Sequence, residues 1–399
     1  MNLTDFIKSK VGAIFIILPY IKPAPELTGS LNTIFNLWKF ISALIVVVCF
    51  IKLRIKFQKS VAYMLLFPVV YFISTLINSA EIGVAFVQML SNITICMYMM
   101  VLYSYNEFLA IRNFTYPTVF MAIVTALTMF VYYPNGMYQV DYGVRVEYSN
   151  YLWGFDNTSG ILFLSAMFFL IINTMYINKK GKYMSTLFIL LMFWGAFFYV
   201  GSVTTYIMML FIIIVYICVI YLKLRMKILN PKIYVGAIVV SFSLVVVYYE
   251  RFVTLWNYLK SIGKYYSVIM RFIYFDRQFE FIHKSPILGY GIEDKSLLAS
   301  KIYIDHPHNY FMDLLYRGGI IAAFLAILFF YNMLKGKKNK DSIFIINSSC
   351  LLSILITTML DFYVELYLFY PHLLLTYFLY NKRKYTLDKR KINSGITGT

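Results

Sequence analysis

The chain has 399 residues; 61% are hydrophobic and 14% charged, against roughly 25% charged in soluble domains. With 37 Tyr and 36 Phe besides, a soluble core could not enclose so much apolar surface. This excludes a soluble enzyme, a disordered chain and a secreted disulfide scaffold, and predicts an all-α, polytopic integral membrane protein. The formal net charge of +18 would suggest nucleic acid in a soluble chain. In a membrane chain it raises the question of which side holds the positive residues.

Taken in chain order, apolar runs long enough to span predict about twelve helices in a single membrane domain, residues 1–399. Their approximate limits are 7–22, 31–51, 60–79, 82–103, 114–133, 155–177, 183–201, 203–222, 232–250, 310–334, 342–360 and 362–380. The run after Lys8 and Lys10 has no small-residue cleavage site and meets Pro19, Pro23 and Pro25, so it reads as a short first membrane helix. Cys49, Cys96, Cys218 and Cys350 lie far apart in apolar runs, without metal spacing, and read as packing residues.

Placing both termini in the cytoplasm satisfies the charge rule. Basic clusters at 52–59, 179–182, 223–232, 335–340 and 382–391 then fall inside, and acids outnumber bases outside. The basic tail, residues 381–399, reads as a topology anchor beside anionic lipid, with no nucleic-acid role. Two outer loops exceed a tight turn: 134–154, and the much longer 250–309 between the ninth and tenth spans. No inverted repeat of the transporter kind is visible, and the polar weight lies on the outer face. Chemistry is therefore expected in the 250–309 loop.

That loop is too apolar for free solvent and too charged to span, which suits helices at the membrane interface. One helix is expected from about Ser267 to His283, before Pro286-Ile-Leu-Gly289-Tyr-Gly291. Arg271 and Gln278, seven apart, share a face; Arg277 and Glu280 form a surface pair. Arg271 itself reads equally as a functional cation or as a side chain snorkelling to lipid head groups. Next comes Asp305-His306-Pro307-His308-Asn309, holding two of the four histidines of the chain. Histidine moves protons near neutral pH, but loop polarity with Asn309 as a helix cap is the plainer reading of the residues alone. The segment Phe311 to Ala323 starts as a charged helix, meets Gly318-Gly319 and becomes an apolar span. Such a glycine pair permits close packing, a kink or a break beside a cavity. Asp361, Glu365 and His372 share one face of the twelfth span, as a glycan path or a buried network.

Pro286-x-x-Gly289-x-Gly291, then His308-Asn309, then Gly318-Gly319 resemble the signature of the O-antigen ligase and Wzy-type polysaccharide polymerase superfamily. Arg271, fifteen residues before Pro286, is similar to its loop arginine. Arg145, followed by Gly154-Phe155-Asp156-Asn157, looks more loosely like its earlier arginine motif. The tip Gly201-Ser202-Val203-Thr204-Thr205 departs from the family, lacking the Ser-Arg pair found there.

The resemblance implies a metal-independent glycosyltransferase without cofactor in the cytoplasmic membrane, its active site on the outer side. It would extend glycans carried on undecaprenyl pyrophosphate. It implies His308 as base, Arg271 and Arg145 as pyrophosphate clamps, and an inverting displacement. His306, Asn309, Asn157, Asp313, Gly289 and Gly291 would contribute to substrate binding, Asp313 or Asp305 also orienting His308. A flippase and a chain-length regulator are the implied protein partners. The alternatives are a ligase that passes the glycan to a final acceptor and, in another class, a transporter of such glycans.

Overall fold

The computed structural model describes residues 2–23, 31–140, 148–152, 154–177, 179–199, 203–223, 236, 257–258, 260–261, 265–303, 309–334, 342–360 and 368–381. Five helices among them are long and apolar enough to cross a membrane. They are α3 (Leu31–Lys52), α4 (Lys59–Ile77), α5 (Ile82–Tyr105), α6 (Glu107–Leu127) with a π-turn at Thr128–Tyr132, and α12 (Tyr310–Leu334). Further apolar helices are α7 (Asp156–Asn173), α8 (Lys179–Tyr199), α9 (Val203–Ile220), α13 (Ser342–Leu360) and α14 (Tyr370–Tyr380). Outside the spans lie α10 (Tyr265–Lys284) and α11 (Lys295–Ile302). Except for the 232–250 run, of which only Gly236 is described, each expected span contains a helix.

The first expected span differs. It is split into α1 (Leu3–Lys8) and α2 (Lys10–Ile17) at Ser9, whose hydroxyl caps α2 by accepting from Gly12 N–H at 2.9 Å. At about 1.5 Å per residue, neither piece can cross a hydrocarbon layer of about 30 Å. Both sit inside the bundle, with Ile7, Ile16, Ile17 and Tyr20 buried. The carbonyls released at the break are collected by α5 and α6. Asn113 Nδ2 donates to Lys8 O at 3.2 Å, Arg112 to Lys8 O at 2.9 Å, and Tyr98 OH to Ile7 O at 3.0 Å.

Within the first outer loop, residues 134–154, the all-α expectation is also modified. Strands β1 (Tyr138–Val140), β2 (Tyr148–Tyr151) and β3 (Gly154–Phe155) pair antiparallel in the order β1-β2-β3. The register sets Tyr138 opposite Asn150 and Asn150 opposite Phe155. Tyrosine and valine favour a pleated surface, and the segment was too short and polar for a helix period to appear.

Candidate active site

The N-terminal end of α12, which the charge pattern predicts to be outer, is where the glycine motifs meet. The helix is broken at Gly319, with φ 60° and ψ −160°, a conformation open essentially to glycine alone. A break frees backbone groups that must find partners in a buried site. The Pro286–Gly291 turn supplies them. Tyr290 N–H donates to Tyr316 O at 2.8 Å and Gly291 N–H to Arg317 O at 3.0 Å. Beyond the break, Ile320 N–H donates to Pro286 O at 2.8 Å. The two glycine motifs are thus halves of one backbone clamp. A Cβ on Gly289 would lie 2.3 Å from Tyr316 O, and one on Gly319 would lie 2.2 Å from Ile287 O.

The end of α4 closes the other side. Thr75 Oγ1 accepts from Ile292 N–H at 2.8 Å, and Asn78 Nδ2 donates to Gly289 O at 3.1 Å. Glu81 N–H donates to Ile292 O at 3.0 Å. A Cβ on Gly291 would meet the Thr75 backbone at 2.4 Å. Gly318 lies against the Tyr71 ring.

Just before the break, Asp313 and Arg317, one turn apart on α12, form an ion pair and are 1% and 6% exposed. Tyr71 OH donates to Asp313 Oδ2 at 3.4 Å. Asn309 caps α12: its Oδ1 accepts from Phe311 N–H at 2.8 Å and Met312 N–H at 3.1 Å. The capping reading of Asn309 is therefore met.

Helix α10 runs two residues beyond the expected start and one beyond the expected end, and packs on α11 and α12 through Phe275, Ile282, Leu298, Ile302, Met312 and Tyr316. Tyr290 stacks on Tyr316 with ring centroids 5.2 Å apart, and Tyr316 OH donates to Glu293 at 2.6 Å. Lys301 pairs with Glu293 and lies over the Tyr290 ring at 4.5 Å. Burial raises the Tyr290 phenol pKa. Arg277 pairs with Glu280 on the solvent side, as expected, and Lys284 joins them. The Lys284 hydrogen bond, followed by the Arg277 charge, holds the Glu280 carboxyl below its ordinary value. Asp294 caps α11, and its bonds from Ser296 likewise lower its carboxyl.

Arg271 stands half-buried on α10. Gln278 is 0% exposed, and both amide atoms lack a hydrogen-bond partner. Arg145, Asp305, His306 and His308 lie outside the described residues, as do Asp361 and Glu365. Asn157 lies in the first turn of α7, with its side chain outside the description. His372 is buried, 3.3 Å from Ser165 Oγ and against the Phe169 ring. Among the described residues no group of three or more His, Cys, Asp or Glu side chains is arranged to hold a metal ion.

The structure thus brings Gly289, Gly291, Asn309 and Asp313 together around the N-terminal part of α12. Tyr71, Thr75, Asn78, Glu293 and Arg317 were not anticipated. The only sequence signal for the first three is polar residues at the outer end of an otherwise apolar helix.

Residues 187–327 match the O-Antigen ligase family model. The matched segment runs from within α8 to within α12 and contains Arg271, both glycine motifs and His308-Asn309. Arg145 and Asn157 precede it. The match accords with the O-antigen ligase and Wzy-type superfamily, whose members are glycosyltransferase-like ligases and polymerases of polysaccharide synthesis. No curated protein sequence and no solved structure matches the chain.

Proposed function

We propose that the protein polymerises lipid-linked oligosaccharide repeat units at the outer face of the cytoplasmic membrane. The observation that carries this reading is the coincidence of the matched segment with the glycine clamp. Two of the family's motifs, Pro286–Gly291 and Gly318-Gly319, interlock on α12, a helix that begins two residues after His308.

In this reading both termini are cytoplasmic, about twelve helices span the bilayer, and residues 250–309 form the catalytic loop. The donor is an oligosaccharide on undecaprenyl pyrophosphate. A hydroxyl of the next lipid-linked unit attacks the donor's anomeric carbon. The bond to the pyrophosphate oxygen breaks, and the anomeric centre inverts. His308 takes the hydroxyl proton, and Asp313 or Asp305 orients it. The leaving pyrophosphate carries its negative charge away without needing a proton. Arg271 and Arg145 stabilise it, since a guanidinium stays charged and forks onto two phosphate oxygens. Near the low-dielectric boundary that attraction exceeds its value in water. His306, Asn157 and the backbone around Gly289 and Gly291 hold the sugars. The reaction uses no metal and no nucleotide sugar, and a flippase and a chain-length regulator serve the same pathway.

The test is purified protein given the lipid-linked repeat unit alone, with products resolved by length. Chains of several repeats are expected, and their absence overturns the polymerase. His308→Ala should insert normally and make none. Arg271→Lys should be strongly impaired, because Lys cannot fork. The description of the matched family favours one other reading, a ligase. It predicts no extension of the repeat unit but transfer of preformed glycan to a different acceptor.

A further inference from the structure

A second feature lies away from the catalytic reading and does not depend on it. Helices α6 and α8 both pack on α7 yet diverge from each other. At one end they are held together where Phe130 of the π-turn presses on Gly195; a Cβ there would lie 2.2 Å from the Phe130 ring. Toward the other end they leave a groove of about 640 Å³, within the range of about 300–1,000 Å³ usual for small-molecule sites. Its walls are apolar: Val119, Phe120 and Ile123 of α6 face Met184 of α8 across Leu170 of α7.

Polar groups gather toward the end away from Phe130, where Thr115, Tyr116, Asn173, Gly181 and Ser185 join the lining. The Asn173 Oδ1 atom is buried without a hydrogen-bond partner. Cations surround the same end. Lys10 Nζ lies 4.7 Å over the ring of Tyr116, itself part of the lining. Lys182 follows Gly181 directly, and Arg112 stands one turn before Tyr116 on α6. Among the described residues near this end, Asp5 pairs with Lys8 and Glu107 accepts from Tyr176 OH.

We infer that this groove binds one anionic phospholipid, an acyl chain lying between α6 and α8 and the phosphate held by Lys10 and Lys182. The apolar walls suit a hydrocarbon chain, and the charge at the mouth selects the head group. A polar alcohol or neutral lipid would satisfy the walls but leave the cations without a counter-charge. By the positive-inside rule the mouth faces the cytoplasmic leaflet, the side opposite the glycine clamp.

The test is native mass spectrometry of the full chain in detergent, titrated with dioleoyl phosphatidylglycerol or dioleoyl phosphatidylcholine. One phosphatidylglycerol should be retained per chain, with a preference of at least about tenfold over phosphatidylcholine. The double variant Lys10→Gln/Lys182→Gln should still bind lipid but lose that preference. The double variant Val119→Phe/Ser185→Phe, which fills the groove, should elute as wild type and retain no lipid. Equal binding of the two phospholipids by wild type overturns the inference, as does a preference that survives the lysine replacements. Undecaprenyl phosphate displacing phosphatidylglycerol at equal concentration would assign the groove to an isoprenoid and overturn it too. Should the filled variant fail to fold, the lysine variant still decides.

Discussion

Among the described residues, the chain breaks helix inside the bundle at Ser9 and at Gly319, and the two breaks are mended differently. At Ser9, side chains do it: Arg112, Asn113 and Tyr98 reach from α5 and α6 to the loose carbonyls at the end of α1. At Gly319, main chain does it: the 286–292 turn lies along the break and exchanges N–H and C=O groups with it. Ser9 keeps an ordinary extended conformation, φ −75° and ψ 160°, so the Ser9 break makes no demand for positive φ. The Gly319 break needs glycine for φ, and Gly289 and Gly291 for close approach as well as positive φ. Long side chains can adjust to a changed neighbour, whereas apposed backbones at 2.8–3.0 Å cannot. The proposed site is therefore built from the less forgiving kind of joint, which suits the role proposed for it of holding reacting atoms in register.

The sharpest way to break this contrast is Gly319→Ala. It combines a Gly-only conformation with a Cβ set 2.2 Å from Ile287 O, so it should destabilise by about 3–5 kcal/mol. Denaturant unfolding followed by helical signal would measure it. Ser9→Asn, which keeps the cap and needs no unusual φ, should change little in the same assay. A large effect at Ser9 would erase the distinction.

The side-chain joint should be weaker. Asn113→Ala removes the donor to Lys8 O in a buried corner and should cost about 1–3 kcal/mol. Protease or thiol accessibility of residues 1–23 should rise with it, the outer loops being unchanged.

Gln278→Met goes the other way. The buried amide has no partner, so replacing it with a thioether of similar volume should stabilise the folded chain by about 1–2 kcal/mol. If the gain appears and chain growth falls, Gln278 serves the substrate reached from the Arg271 face. If both rise or stay level, it is a packing defect.

The smallest effect concerns pH. The Asp294 carboxyl is held below its ordinary value, chiefly by the Ser296 side-chain hydrogen bond. Its contribution to the α11 cap is complete above an ordinary aspartate pKa of about 3.9 and is lost as pH falls through the lower folded value. Hydrogen exchange at Ser296 and Leu297 should accelerate only in that acid range, and not at all in Asp294→Ala, which is uncapped throughout.

The same contrast explains what the sequence made visible. Backbone joints leave glycines, so Gly289-Tyr-Gly291 and Gly318-Gly319 stood out as motifs. That they bind each other did not, because nearly thirty residues separate them and nothing in either run names its partner. Side-chain joints leave no such mark: Asn113 looks like one polar residue in an apolar helix, and the Ser9 break was read as one continuous first span. The long apolar helices α3, α4, α5 and α12 were legible almost to the residue, since hydrophobic length alone defines them. Thr75 and Asn78 were invisible as site residues because their meaning depends on a turn over two hundred positions away.

That separation has a consequence for how the chain is made. Asn78 and Gly289 are 211 residues apart. At about 5–20 residues per second, the outer end of α4 emerges some ten seconds or more before the turn that completes it. Through that interval Thr75, Asn78 and the Glu81 amide lack their later partners at the rim of the growing bundle. The clamp at the start of α12 is thus among the last parts to close during synthesis, and a ribosome stalled anywhere before Gly289 leaves a chain that has membrane helices but no clamp.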